Sequence, residues 1–157
     1  MRKKIILWSF MQSQKVYMKF RHQKPWDIST EELLEYPKES FGKSLGDFLH
    51  ENDFELIPKG ERHDAIHVLT GYGTEVEDEI AMQFLCFGNG KRSFYLYSSL
   101  LAGILILPEY FNYYLKSYRL GRSCNTFYHF NYKNLLNYSF YELREVIFNK
   151  EELQLIN

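Results

Sequence analysis

Apolar residues recur at three- and four-residue intervals along most of the chain, which is the signature of amphipathic helices. Phe41, Leu45, Phe48 and Leu49 make one such stripe. Ahead of it, Ser29 or Thr30 is placed to cap a short helix through Tyr36, and Pro37 stops it. Asn52 to Gly60 reads as a loop. Glu61 to Thr70 reads as the next helix, closed by Gly71 and Gly73, since glycine just past a helix supplies the left-handed stop. Thr74-Glu75-Val76-Glu77 fits a capping box with Thr74 as N-cap. A helix is therefore expected from near Glu75, burying Val76, Ile80, Phe84 and Phe87 and ending at Gly88-Asn89-Gly90.

A further helix is predicted from about Ser93 to Leu107. Pro108 opens another, which carries Tyr110, Phe111, Tyr114, Leu115 and Tyr118 and ends before Gly121. Two short helical stretches follow, around Tyr132 to Asn137 and Ser139 to Phe148, the second with Ser139 and Glu142 as a capping box. The first 25 residues are ambiguous: Val16, Met18 and Phe20 alternate like a strand, whereas Ile6 and Phe10 are spaced like a helix. Strands are otherwise scarce, and no repeat or linker interrupts the chain. The expectation is all-α: a single-domain multi-helix bundle over residues 1–157.

Composition narrows the class. The chain is 45% hydrophobic and 25% charged, enough apolar matter for a packed core. Aromatic residues reach 18%, which fits either a ring-rich core or a surface that meets something apolar. The net charge is -1, so nothing draws the chain to nucleic acid. No acidic residue precedes Asp27, while Arg2, Lys3, Lys4, Lys15 and Lys19 lie among Trp8, Phe10, Tyr17 and Phe20. That mixture suits docking on anionic lipid headgroups or a solvated terminus. Cys86 and Cys124 lack metal-site spacing, so a reducing, cytoplasmic setting is expected. Ile5 to Phe10 is too short for a secretory core, and Phe94 to Leu107 is shorter than the ~20 residues that span a bilayer. The latter reads as a buried helix or one lying against lipid.

The sharpest chemical signal is His63-Asp64-Ala65-Ile66-His67. Residues four apart on a helix leave the same face, so both imidazoles point one way, with Asp64 beside them. Imidazole and carboxylate together suit zinc, iron or similar cations. Glu79 adds to this. His67 lies ~6 Å before the glycine turn and Glu79 ~7.5 Å after the following helix start, so an antiparallel hairpin sets them nearly level. Packed helix axes ~8–10 Å apart allow both to reach one ion. His63, Asp64, His67 and Glu79 are therefore the expected ligands of one divalent ion, in a helical hairpin. Zincin proteases carry His-Glu-x-x-His, but Asp64 is one methylene shorter than that catalytic Glu. His-Asp phosphohydrolases need further His and Asp ligands, and none of His22, His50 and His129 has an adjacent Asp. A metallohydrolase of another kind stays open.

The pattern His63-Asp64-x-x-His67, eleven residues, then Glu79 resembles the signature of the coenzyme Q (ubiquinone) biosynthesis protein 4 family. Val68-Leu69-Thr70-Gly71-Tyr72-Gly73-Thr74, Leu120-Gly121-Arg122, Tyr36-Pro37, Phe41-Gly42-Lys43-Ser44-Leu45 and Leu143-Arg144 are similar too, so the likeness spans roughly residues 36–148. Asp78 stands where that family often has Gly. The resemblance implies an all-helical fold and zinc held by His63, Asp64, His67 and Glu79. It also implies a place at the membrane surface, next to a prenylated quinone precursor or other isoprenoid lipid. The family is linked to replacing the ring carboxylate at C1 with a hydroxyl, and to scaffolding other biosynthetic enzymes. Ferrous iron suits two His and a carboxylate as well. Arg122 is a candidate clamp for a substrate carboxylate, and Tyr110 and Tyr114 are candidates for the prenyl chain, with core packing as the alternative. Partners expected on this basis are the membrane surface, a second copy of the chain and other biosynthetic enzymes.

Overall fold

The computed structural model describes residues 24–156. The basic, aromatic segment before Lys24 lies outside the described residues, and so do its strand-like and helix-like patterns. Among the described residues all regular structure is helical, as the apolar periodicity predicts. The helices are α1 (Thr30–Leu34), α2 (Phe41–Glu51), α3 (Glu61–Thr70), α4 (Val76–Gly88), α5 (Phe94–Ile106), α6 (Phe111–Ser123), α7 (Phe140–Ile147) and α8 (Lys150–Leu155). Single 3-10 turns occupy Pro108–Tyr110 and Tyr132–Leu135. Among the described residues extended pairing is limited to one isolated antiparallel bridge, Ser40 with Ser139.

The helix ends show how local chemistry sets the boundaries. Ser29 caps α1 in a full box, its hydroxyl accepting from the Glu32 N–H while the Glu32 carboxylate accepts from the Ser29 N–H. Ser40, Ser93 and Ser139 cap α2, α5 and α7 by accepting from the residue three on. At Ser139 only that half of the expected box forms. The predicted Thr74 box is displaced: Glu75 is the N-cap of α4, in extended conformation, and no side chain caps it. The register is one residue later than the Thr-x-x-Glu pattern suggests. A last helix, α8, was not anticipated, although Asn149 and Glu152 form its complete capping box.

The chain falls into two compact units, one of Tyr72–Tyr128 and one of residues 24–71 with 129–156. In the second unit Leu33, Phe41, Leu45, Leu49, Leu69 and Phe148 are fully buried or nearly so. The start of α2 is tied down by two backbone bonds, Phe41 N–H to Tyr138 O at 2.8 Å and Gly42 N–H to Leu136 O at 2.7 Å.

The first unit is built around a close approach of α4 and α6. A Cβ on Gly121 would lie 2.0 Å from the Leu85 carbonyl oxygen, and one on Gly88 would lie 2.2 Å from that of Tyr118. Each glycine thus admits the other helix's backbone. This corrects the expectation that α6 ends before Gly121: that glycine is helical and conserves space, not a left-handed turn. Phe84 and Tyr114 stack across the same contact, with ring centroids 5.1 Å apart and planes 7° from parallel. Asn89 closes the end of α4. Its Nδ2 donates to Gly121 O at 3.1 Å, and its Oδ1 accepts from the N–H groups of Phe127 and Tyr128. A buried amide satisfied on both sides holds a specific geometry as well as contributing stability.

Gly121→Ala forces a methyl into that backbone contact. Overpacking of this kind costs about 1–3 kcal/mol. Urea unfolding should show the midpoint falling accordingly, while alanine at exposed Asn112 leaves it almost unchanged.

Candidate metal centre

Helix α3 carries the first two ligands, and its sequence places them together. His63 and His67 are one turn apart, and their rings meet edge to face with centroids 4.7 Å apart and planes at 80°. The two Nε2 atoms are 3.1 Å apart. His63 is half-buried, whereas His67 is only 2% exposed and its ring stacks on Phe48 at 5.8 Å. The helix stops just beyond: Gly71, at φ 71°, gives its N–H to the His67 carbonyl at 2.8 Å. At the other end Glu61, which sequence reasoning passed over, is buried and accepts the Trp26 N–H at 2.9 Å. An acidic residue in the first turn of a helix was the signal available for it.

Glu79 lies in the first turn of α4, beside Asp78. Asp78 does not face outward as the helical wheel suggests. Its Oδ1 accepts the Tyr113 hydroxyl at 2.9 Å, and its Oδ2 sits 2.6 Å from where a Cβ of Gly73 would be. Next to this pair, the buried Tyr72 hydroxyl donates to Ser117 Oγ at 2.7 Å, and the Tyr72 and Tyr113 rings stack at 6.1 Å. Burial disfavours both phenolates. It pushes the Tyr72 hydroxyl up to about 12, and Tyr113 rises further because the Asp78 carboxylate adds to the effect.

His63, His67 and Glu79 each offer one ligand atom, and these atoms all lie within 4.8 Å of one another. This cluster could hold a metal ion. The imidazole pair can be tested directly. Two nitrogens at ~2.0–2.1 Å from one zinc, with bond angles between 90° and tetrahedral, must be ~2.8–3.4 Å apart. The observed 3.1 Å falls inside that range, so the spacing of the two nitrogens fits a shared ion. Without an ion, the same spacing makes one ring donate to the other. Asp64 lies half-buried on α3, between the two histidines in sequence, and is not one of the three clustered residues. Of the predicted substrate contacts, Arg122 is exposed on α6 and Tyr110 is half-buried, whereas Tyr114 is fully buried under Phe84.

A family model described as Coenzyme Q (ubiquinone) biosynthesis protein Coq4 matches residues 59–150, more than half of the chain. No curated protein matches the chain. The matched span includes α3, α4 and all of the predicted ligands.

Elemental analysis of the purified chain should find a stoichiometric divalent ion. His67→Ala and Glu79→Ala should bring it to background. Occupancy should also fall as pH drops through the imidazole range, because protons compete for the ligand nitrogens. The tyrosines predict a separate alkaline effect. Their folded-state values lie above the ordinary value near 10, so the unfolded chain loses these protons first. Their contribution is complete below pH 10 and declines as pH rises toward 12 and beyond. Unfolding curves between pH 9 and 11 should therefore slope less steeply for Tyr72→Phe and Tyr113→Phe than for the native chain.

Proposed function

Because the chain belongs to the Coenzyme Q (ubiquinone) biosynthesis protein Coq4 family, we propose that it serves ubiquinone biosynthesis by acting on a prenylated hydroxybenzoate at a metal centre formed by His63, Asp64, His67 and Glu79. The convergence of one ring nitrogen from each of His63 and His67 with a Glu79 oxygen is the observation that carries this reading. Asp64 completes the set as fourth ligand, or as hydrogen-bond partner to a neighbouring ligand. Zinc is the favoured ion, with ferrous iron the alternative suited to the same donors. A divalent ion there supplies Lewis acidity that stabilises negative charge on the ring as carbon dioxide leaves C1.

The chain's own residues support the remaining requirements. The stacking of His67 on Phe48 keeps its imidazole out of water and fixed in direction. Arg122 is the proposed clamp for the ring carboxylate, through a bidentate pair of N–H donors. The net change replaces the C1 carboxylate by a hydroxyl: water supplies the new ring oxygen, carbon dioxide leaves, and dioxygen takes up the two electrons and is released as hydrogen peroxide.

A second property of the chain favours peripheral contact with a membrane. Helix α5 leaves large apolar side chains in the open: Phe94 is 88% exposed, Leu105 69% and Leu101 58%. Of the two expectations for this segment, a buried helix or one lying against lipid, this exposure supports the second. Lys91 and Arg92 precede it immediately, the latter lying over the Phe87 ring at 4.5 Å. Basic residues next to an apolar helical face suit the headgroup boundary of an anionic bilayer. Among the described residues no single helix is long and apolar enough to cross a membrane. At ~1.5 Å per residue α5 covers ~20 Å, short of the ~30 Å hydrocarbon core. On this reading α5 lies on the surface and gives access to isoprenoid lipid. Other enzymes of the pathway, or a second copy of the chain, are the proposed protein partners.

The chain reconstituted with zinc or ferrous iron, incubated with a prenylated hydroxybenzoate and dioxygen, should yield the C1-hydroxylated ring and carbon dioxide. His63→Ala should abolish turnover. Absence of product with every divalent ion, alongside lipid in the purified protein, would instead favour a lipid-binding scaffold whose metal is structural. Flotation with anionic vesicles should weaken several-fold on replacing Phe94 and Leu105 together by Ser.

A further inference from the structure

Helix α7 carries a cation that none of the machinery above uses. Arg144 sits between buried Leu143 and buried Ile147, with its guanidinium carbon 5.4 Å from the centre of the Phe140 ring. Its Nε and Nη2 atoms are both buried, and neither has a hydrogen-bond partner among the described residues. These two nitrogens are not an arbitrary pair. They form the side-on edge of the guanidinium, whose parallel N–H bonds match the two oxygens of a carboxylate or phosphate.

The surroundings offer little else to neutralise the charge. Burial draws its proton affinity below the ordinary arginine value, and among the described residues Tyr141 acts on it in the opposite direction. Nη2 lies 4.0 Å from where a Cβ of Gly71 would be, so the guanidinium borders the C-terminal end of α3. That end carries partial negative charge, which favours a cation nearby. None of its carbonyls, however, accepts from Nε or Nη2. Arg144 as a whole is half-buried, but a pair of buried donors left unmatched on a cation is costly. A methionine of similar length would fill the same space without that cost.

We propose that the Nε/Nη2 edge of Arg144 is an oxyanion-binding site, taking the carboxylate or phosphate group of a ligand. The location gives the site a meaning. Gly71 is hydrogen-bonded to the carbonyl of His67, so the guanidinium lies about one helical turn beyond the imidazole pair, at the end of the same helix. An acidic group held there by α7 lies against the end of the helix that carries the two histidines. The site does not depend on a metal being present, and the test uses metal-free protein.

The full chain, stripped of divalent ions with chelator, is heated at constant ionic strength in sodium chloride, sodium phosphate or sodium benzoate. The unfolding midpoint should rise with phosphate, with benzoate or with both, beyond chloride. A response to phosphate alone identifies a phosphate ligand, and one to benzoate alone a carboxylate. Arg144→Met should remove the response, and Arg119→Gln, at an exposed arginine elsewhere, should keep it. Arg144→Lys preserves the charge but not the fork, and should raise the half-saturating concentration tenfold or more. If neither anion shifts the native chain beyond chloride, or if Arg144→Met or Arg144→Lys responds as the native chain does, the site is refuted. Should Arg144→Met not fold, the native and Arg144→Lys titrations decide alone.

Discussion

Backbone-to-backbone contact between α4 and α6 is the constraint on which the Tyr72–Tyr128 unit depends. Helices can approach this closely only where neither carries a side chain at the crossing, and Gly88 and Gly121 supply that gap on opposite sides. Once the crossing is fixed, much else follows. Phe84 meets Tyr114 face to face, Asn89 reaches the Gly121 carbonyl, and Asp78 is delivered to the Tyr113 hydroxyl. The direction in which α4 begins, and with it the position of Glu79, is thus set by small residues at the opposite end of the helix.

In the other unit, the same result is reached by burial instead of close approach. His67 is nearly inaccessible, and a buried imidazole must have its ring nitrogens matched. One is matched by His63, at a spacing that suits either a shared proton or a shared ion. The pair is therefore poised between two ways of satisfying the same atoms. Phe48 removes the freedom of the ring to turn away, so the choice rests with what is bound and not with the rotamer.

Much of this was legible in the sequence, because it is local. The i, i+4 histidines, the left-handed Gly71 and the serine caps are each decided within one turn of helix, and they stand where the pattern predicts. What was not legible depends on partners distant along the chain. A glycine required for a positive φ and one required for a close approach look alike in sequence, which is why Gly121 suggested a helix end. The start of α4 was read from Thr74 and Glu77, but Asp78 makes its bond to a residue 35 positions later. The surroundings of Glu61 and Arg144 were not legible for the same reason: they come from Trp26 and from Gly71, neither of them a sequence neighbour.

Helix α5 and the turn that follows it have a geometric consequence. The chain bends by 103° between Phe94–Ile106 and Pro108–Ser123, because Pro108 cannot continue the preceding helix. A short apolar rod followed by so sharp a corner is shaped as a wedge. Were α5 to lie in a membrane as proposed, such a wedge would widen one leaflet and leave the opposite one unchanged. It is accommodated most cheaply where lipid packing is already loose. Bilayer curvature, and not only headgroup charge, would then decide which membranes it prefers.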